Sequence, residues 1–389
     1  MSIIEIISAP VKLAFCLPEY FPYGGLQNNC LRIAESLLAR GHSVDLYTRD
    51  WQGPVPRGCR VRVVEVRALR NHSKNVAFAR KFAQAMEAGR YDGVVGFMKI
   101  PSLDVYYAAD PCFQTRAKAR RFWLYRLSGR YRALVALERS VFEPDAGTEI
   151  LMLAEREIDN YVRCYATPQE RFHLLPPAVP RDRMAGADAL EVRNALRAEF
   201  SVGPDEMLLL SVGSGFKTKG VDRTIRALAA LPGRLGASTS LMVVGQGDPG
   251  PFERLARRLG VGDRVRFLGG RTDVRRFLFG ADLLVHPAYS ENTGNVLLEA
   301  MVAGLPVLTT ANCGYAPRVE RAGGGRVVPE PFAQERLNAA LSESLERGRL
   351  EEWSRNGIDY GRNEDLYSRP ETAADIIESV IEVKAAARR

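Results

Sequence analysis

Residues 286–308 read HPAYSENTGNVLLEAMVAGLPVL. An apolar run of strand length, Leu283 to His286, ends where this stretch begins, a helix-period segment opens at about Asn292 to Gly294, and Pro306 to Thr309 returns to strand. Strand, glycine-bearing loop, helix and strand in that order make a βαβ unit, because parallel neighbours need a crossover between them. Glu291 sits in the loop and Glu299 well inside the helix, nearly on the same side after two turns. The backbone N–H groups of Thr293, Gly294 and Asn295 fall at the helix start, beside Asn292. There they lack helical partners, and the helix dipole favours an anion such as a diphosphate.

The same alternation runs outward in both directions. Towards the N-terminus, Met207 to Val212, Leu241 to Val244 and Val265 to Leu268 read as buried strands separated by helices. A first series precedes them: Lys12 to Leu17, Val44 to Tyr47, Val61 to Val66, Gly93 to Phe97, Val105 to Ala109, Ile150 to Leu153 and Phe172 to Leu175. A helix follows Gly24-Gly25 to about Arg40, and another lies around residues 75 to 88. Pro176-Pro177 and the polar stretch after Pro180 interrupt the pattern, since proline restricts itself and its predecessor to extended conformations. The reading is therefore α/β, with two Rossmann-like domains over residues 1–180 and 181–369. A C-terminal helix over 370–389 can cap either half, packing back on the first being one of the two placements. Ligands of such sheets sit beyond the carboxyl ends of the strands, so the expected site is a cleft between the halves.

Three more loops carry candidate chemistry. VGSGFKTKGVDRTIRAL, residues 212–228, runs strand, glycine loop, helix, with Gly215, Lys217 and Lys219 where either ammonium can neutralise a leaving diphosphate. FLGGRTDV, residues 267–274, ends a strand at Arg271, whose guanidinium plane can cover a nucleobase or simply face solvent. In the first half, FPYGGLQ, residues 21–27, lets backbone approach a phosphate or sugar closely at Gly24 and Gly25. FMKIPSLDVYYAAD, residues 97–110, supplies Lys99, Asp104 and Asp110 near strand ends. Asp110 is the carboxylate placed to orient an acceptor hydroxyl or share its proton, with a helix N-cap as the alternative.

Composition bounds the class. The chain has 389 residues, too many for one ordinary core, with globular proportions of 46% hydrophobic and 26% charged residues. No apolar run reaches spanning length, and the opening MSIIEIISAP carries Glu5 and no basic leader, so the expected location is the cytoplasm. Six scattered cysteines without a CxxC pair argue against a disulfide framework or zinc site, and no metal is expected. The net charge is +8, of which residues 116–139 carry +7, leaving the remainder nearly neutral in sum. That segment, RAKARRFWLYRLSGRYRALVALER, interleaves Arg116, Lys118, Arg120, Arg121 and Arg126 with Trp123 and other aromatics. It reads as an interfacial helix for an anionic membrane surface. A solvated basic helix and a nucleic-acid patch need the same cations. The partner assigned is the membrane, not nucleic acid.

The spacing of Glu291 and Glu299 resembles the E-x7-E motif of glycosyltransferase family 4, a retaining family with the GT-B fold. The resemblance implies that Glu291 approaches the donor sugar, Glu299 binds the ribose, Lys219 matches the family's basic phosphate-binding position and Arg271 lies at the uracil. NNCLRIAESLLARGHSVDLYT, LLPPAVPRDR, CGYA at 313–316 and DLYSRPETAADII extend the match over nearly the whole chain. They resemble the bacterial lipopolysaccharide core glucosyltransferase I family. The resemblance implies retaining transfer of a hexose from a UDP-sugar to an inner-core heptose of lipopolysaccharide, without an active-site metal or cofactor. It also implies a membrane-interacting region at the basic segment, hence a peripheral position on the inner face of the inner membrane. The sequence departs from the family pattern at Asn29 (Asp there), Met98 (Asn), Ala178 (Gly) and Pro317-Arg318 (His-Tyr). A UDP-sugar-binding scaffold without transfer activity, or a family 4 transferase with another acceptor, are the competing readings.

Overall fold

A computed structural model describes residues 9–22, 24–118 and 123–387, with the backbone alone at residues 118, 123 and 124. The chain separates into two compact units, residues 1–176 with 368–389, and residues 177–367. The division falls between Pro176 and Pro177, four residues before the boundary expected from sequence. The C-terminal helix, Arg369–Ala387, belongs with the first unit.

In the first unit, β1 (Lys12–Cys16), β2 (Ser43–Thr48), β3 (Cys59–Val63), β4 (Gly93–Gly96), β5 (Val105–Ala108), β6 (Glu149–Met152) and β7 (Phe172–Leu174) form one sheet. Its order is β3-β2-β1-β4-β5-β6-β7, and the pairings are parallel. The inner strands β1, β4, β5 and β6 are buried on both faces, which is why they read as continuous apolar runs, whereas the edge strands β3 and β7 are largely half-buried or exposed. One face packs Phe78 and Phe82 of helix Asn71–Ala88 with Val141 and Phe142 of helix Gly129–Phe142. The other packs Ile33 and Leu37 of helix Gly25–Ala39 with Ile377 and Ile381 of the C-terminal helix. Arg369, with no exposed surface, ties that helix down by donating from Nε to Pro176 O at 2.8 Å.

The second unit repeats the plan with β8 (Met207–Val212), β9 (Thr239–Val244), β10 (Val265–Phe267), β11 (Leu283–His286), β12 (Val307–Thr310) and β13 (Gly325–Val328). The order β10-β9-β8-β11-β12-β13 reverses direction between β8 and β11, the topological switch point where such sheets bind ligands. The β13 strand has no counterpart in the sequence reading, because Gly325 and Arg326 break its apolar pattern. Among the described residues no helix is long and apolar enough to cross a membrane.

The basic segment departs from expectation. Instead of one interfacial helix it forms Phe113–Lys118, a 3-10 turn at Trp123–Leu127 and helix Gly129–Phe142. Ser128 starts the last piece, its hydroxyl accepting from Tyr131 N–H at 3.1 Å, so a capping residue ends the continuity that periodicity alone suggests. Arg120 and Arg121 lie outside the described residues, as do the side chains of Lys118 and Trp123, while Arg116 and Arg126 are exposed.

Candidate functional site

The loop after β11 is built by neighbours that leave it little freedom. Glu291 forms a parallel bridge to Cys313, and Tyr315 N–H donates to Thr293 O at 2.8 Å. A Cβ on Gly314 would stand 1.9 Å from Asn292 O, so only glycine lets these two turns touch. Arg223, on helix Val221–Ala229, stacks between the rings of Tyr289 and Phe332, 3.6 Å from each, and donates to Pro287 O (3.1 Å) and Ala288 O (3.3 Å). Tyr289 N–H reaches Thr218 O at 2.9 Å. The β8 loop and the β11 loop are thereby sewn together.

That stitching brings Lys219 to Glu291. The ammonium bonds Glu291 Oε2, and His286 Nε2, at the end of β11, stands 3.5 Å from the same oxygen. Burial pushes the Glu291 carboxyl up, but His286 and Lys219 together outweigh it and hold the group down at about 2. Lys217 takes a different path. Its side chain is 70% exposed and bonds Asp222 (2.9 Å) and Tyr289 Oη (3.1 Å), so of the two lysines only Lys219 joins the glutamate.

The helix begins later than its sequence suggests. Gly294 precedes it at φ 81°, and the helical run is Asn295–Val302. Of the amides expected at the helix start, Asn295 alone is helical, while Asn292 and Thr293 belong to the loop held by Gly314 and Tyr315. Gly294 adopts the left-handed conformation that a side chain disfavours, which delays the first turn. Glu299 lies one turn before the end of this helix with Arg183 Nε 3.5 Å from its carboxylate. Burial pushes its carboxyl up, with Arg183 opposing and Asp182 adding to the rise.

The neighbouring loops sit in register at the carboxyl edge of the same sheet. Gly215 N–H donates to Gln246 O (3.0 Å), and Gly245 N–H donates to Gly269 O (2.8 Å). Gly215 itself is left-handed, at φ 76°. Beyond Gly269, the Arg271 guanidinium is gripped edge-on by Asp273, Nε to Oδ1 at 2.8 Å and Nη2 to Oδ2 at 2.7 Å. Arg271 holds the Asp273 carboxyl down at about 2, and the grip fixes a cationic plane that is one-third exposed.

In the first unit, Gly24 precedes the helix that Gly25 opens, without a side-chain cap. A Cβ on Gly24 would lie 1.8 Å from the Gln27 amide oxygen and 2.8 Å from the Phe21 ring, which accounts for glycine there. Asn29 donates to Gly25 O at 2.8 Å, a bond that the family's aspartate, as a carboxylate, could not donate. Met98 and Ala178 are buried, and Arg318 donates to Tyr360 Oη at 3.0 Å. Asp110 is exposed and does not cap a helix, since the next one starts at Phe113. Its carbonyl accepts from Tyr161 Oη at 3.0 Å. The N-terminus of that helix is capped instead by Glu138, fully buried. It accepts from Phe113 N–H (2.9 Å), Gln114 N–H (3.0 Å), Tyr165 Oη (2.6 Å) and Lys99 (2.5 Å). Asp104 serves structure as well, taking Val94 N–H at 2.8 Å. Among the described residues no group of three or more His, Cys, Asp or Glu side chains could hold a metal ion, and the six cysteines are free.

His286, Arg183, Asp273 and Arg223 go unremarked in a reading of motifs. His286 opens the quoted stretch and Asp273 follows Arg271 by two residues, so both had a local signal. Arg183 and Arg223 reach their partners only through tertiary folding.

Comparison with known proteins accords with this geometry. The family model described as glycosyl transferases group 1 matches residues 192–362, and that of glycosyltransferase family 4 matches residues 23–183. The lipopolysaccharide glucosyltransferase WaaG of Escherichia coli (strain K12) is 45% identical over 366 residues, 94% of this chain and 98% of that protein. A crystal structure of WaaG superposes with a TM-score of 0.91, covering 94% of this chain and 99% of that one. Anabaena Alr3699/HepE, solved with UDP-glucose, shares the fold at a TM-score of 0.71 and 17% identity, covering 97% of this chain and all of that one. The chain belongs to the WaaG family of lipopolysaccharide glucosyltransferases, with the two parallel-sheet domains of the GT-B fold.

Proposed function

We propose that this chain transfers a hexose from a UDP-sugar to an inner-core heptose of lipopolysaccharide, with retained anomeric configuration and without a metal. It does so as a peripheral protein on the cytoplasmic face of the inner membrane. The observation that carries the reading is the Lys219–Glu291–His286 cluster at the switch point of the second sheet, beside the start of helix Asn295–Val302. A departing diphosphate needs positive charge that is already in place, and Lys219 with the helix start supplies it from the protein itself. Glu291, held ionised, positions the sugar hydroxyls and keeps the ammonium in register. Glu299 accepts from the ribose hydroxyls, and the Asp273-braced Arg271 plane covers the uracil. Transfer is front-face: the acceptor oxygen bonds the anomeric carbon as its bond to the diphosphate breaks on the same side. The acceptor proton passes to a diphosphate oxygen, and UDP leaves.

The test is mass spectrometry of heptose-terminated lipopolysaccharide core after incubation with the purified chain and each of several UDP-sugars in EDTA. A mass gain with one donor supports metal-independent transfer and names the sugar. Donor binding without a gain on any heptose-terminated core would overturn the proposal in favour of another acceptor or a non-transferring scaffold.

A further inference from the structure

Outside residues 116–139 the charge is nearly neutral only in sum. Residues 57–81, RGCRVRVVEVRALRNHSKNVAFARK, hold eight Lys/Arg against the single carboxylate Glu65, the same +7 as the recognised basic segment. The fold lays the two side by side. Helix Asn71–Ala88 packs on helix Gly129–Phe142, on one face of the first sheet. Both helices run back from the carboxyl ends of parallel strands. The connections that follow β3 and β5, residues 64–70 and, among the described residues, 109–118, therefore leave the same edge of the sheet.

Most of these cations are not spent on structure. Arg62 pairs with Asp45 and Lys81 donates to Glu65 O, but among the described residues no carboxylate pairs with Arg57, Arg60, Arg67, Arg70, Lys74 or Arg80. In the midst of the unpaired set Leu69 is 103% exposed, the most exposed large apolar side chain among the described residues, and Leu127 stands out in the neighbouring segment. A fully exposed leucine flanked by unpaired arginines adds nothing to the grip on a nucleic-acid backbone, which asks only for the cations. It suits a surface with anionic headgroups above an acyl layer.

We infer that residues 57–81 are a second docking element for an anionic phospholipid surface. Arg67, Arg70 and Lys74 meet headgroups and Leu69 enters the acyl boundary, alongside residues 116–139. The inference rests on the peripheral-membrane reading proposed above and adds a second point of attachment, which fixes the rotation of the first domain on the surface where one segment would leave a pivot. Each cation at such a surface is worth about a fivefold change in partition, so removing three costs about 10²-fold.

The experiment is sedimentation of the purified full chain with phosphatidylglycerol–phosphatidylcholine vesicles and with pure phosphatidylcholine vesicles. It compares wild type, Arg67→Gln/Arg70→Gln/Lys74→Gln, Leu69→Ser, and Arg126→Gln/Arg130→Gln/Arg132→Gln. The altered side chains are exposed apart from the half-buried Lys74, and circular dichroism checks that each variant is folded. The expected result is partition onto anionic vesicles about 10²-fold weaker for the first triple variant, weaker also for Leu69→Ser, with UDP-sugar affinity unchanged. Wild-type partition by the first triple variant, beside a weakened second one, would overturn the inference and leave the peripheral reading standing. A wild type that ignores anionic vesicles would overturn both. Loss of RNA binding in the first triple variant without loss of vesicle binding would also overturn the inference, assigning the patch to nucleic acid.

Discussion

Replacing Lys219 by methionine keeps the stem and removes the charge that faces Glu291. The glutamate side chain is 15% exposed, so the pair is poorly screened and the loss is felt fully. With His286, Lys219 holds the carboxyl at about 2 against an ordinary value of 4.5. That difference is worth on the order of 3 kcal/mol of folding stability. Because the folded-state value is depressed, this stabilisation is fully present above pH 4.5 and is lost as pH falls through about 2. Lys219→Met leaves His286 as the remaining partner and burial favouring the neutral acid, so it costs roughly 1–3 kcal/mol at neutral pH. The cost shrinks as acid protonates Glu291. With Lys219 in the proposed place at the leaving diphosphate, loss of its preorganised charge should lower turnover by ~10²- to 10³-fold. Urea unfolding across the acid range and single-turnover transfer measure the two effects. Turnover within about threefold of wild type, or a stability deficit that does not change with pH, would refute the reasoning.

Other perturbations separate structure from chemistry. Asp282 accepts from Arg193 (2.5 Å), Arg197 (3.0 Å) and Leu208 N–H (2.7 Å) at the far end of the sheet from Glu291. Asp282→Asn should therefore cost ~3–5 kcal/mol in chemical denaturation while the surviving folded fraction keeps its UDP-sugar affinity. Gly220→Ala meets Pro287 O at 2.0 Å from a φ of 75°, so it should destabilise by at least ~2 kcal/mol and lower turnover together, since the same contact aligns the two loops. Asp273→Asn releases one edge of the Arg271 plane, and calorimetry should find UDP binding weakened several-fold with melting little changed, because the pair is one-third exposed.

The strands, the two-domain plan and the loops that end at Lys219, Arg271 and Glu291 are legible in the chain because their causes are local. A buried parallel strand must be an apolar run, and a left-handed turn such as Gly215 or Gly294 needs glycine. Local order also misleads. Asn292–Gly294 looks like a helix start, yet Gly294's positive φ moves the first turn to Asn295, and the basic segment looks like one helix until Ser128 caps a new one. Which partner each charge meets belongs to tertiary structure alone. Lys217 and Lys219 are equivalent by local chemistry, two residues apart and told apart only by the family resemblance, but a short helix at Phe216–Lys219 sends one towards solvent and Asp222 and the other to Glu291. Arg183 finds Glu299 across more than a hundred residues, and Lys99 finds the buried Glu138. The +7 of residues 57–81 was countable from the start. That most of it lies unpaired beside helix Gly129–Phe142 depends on two helices packing on one face of a sheet, because charge is a property of residues and electrostatic surface a property of their arrangement.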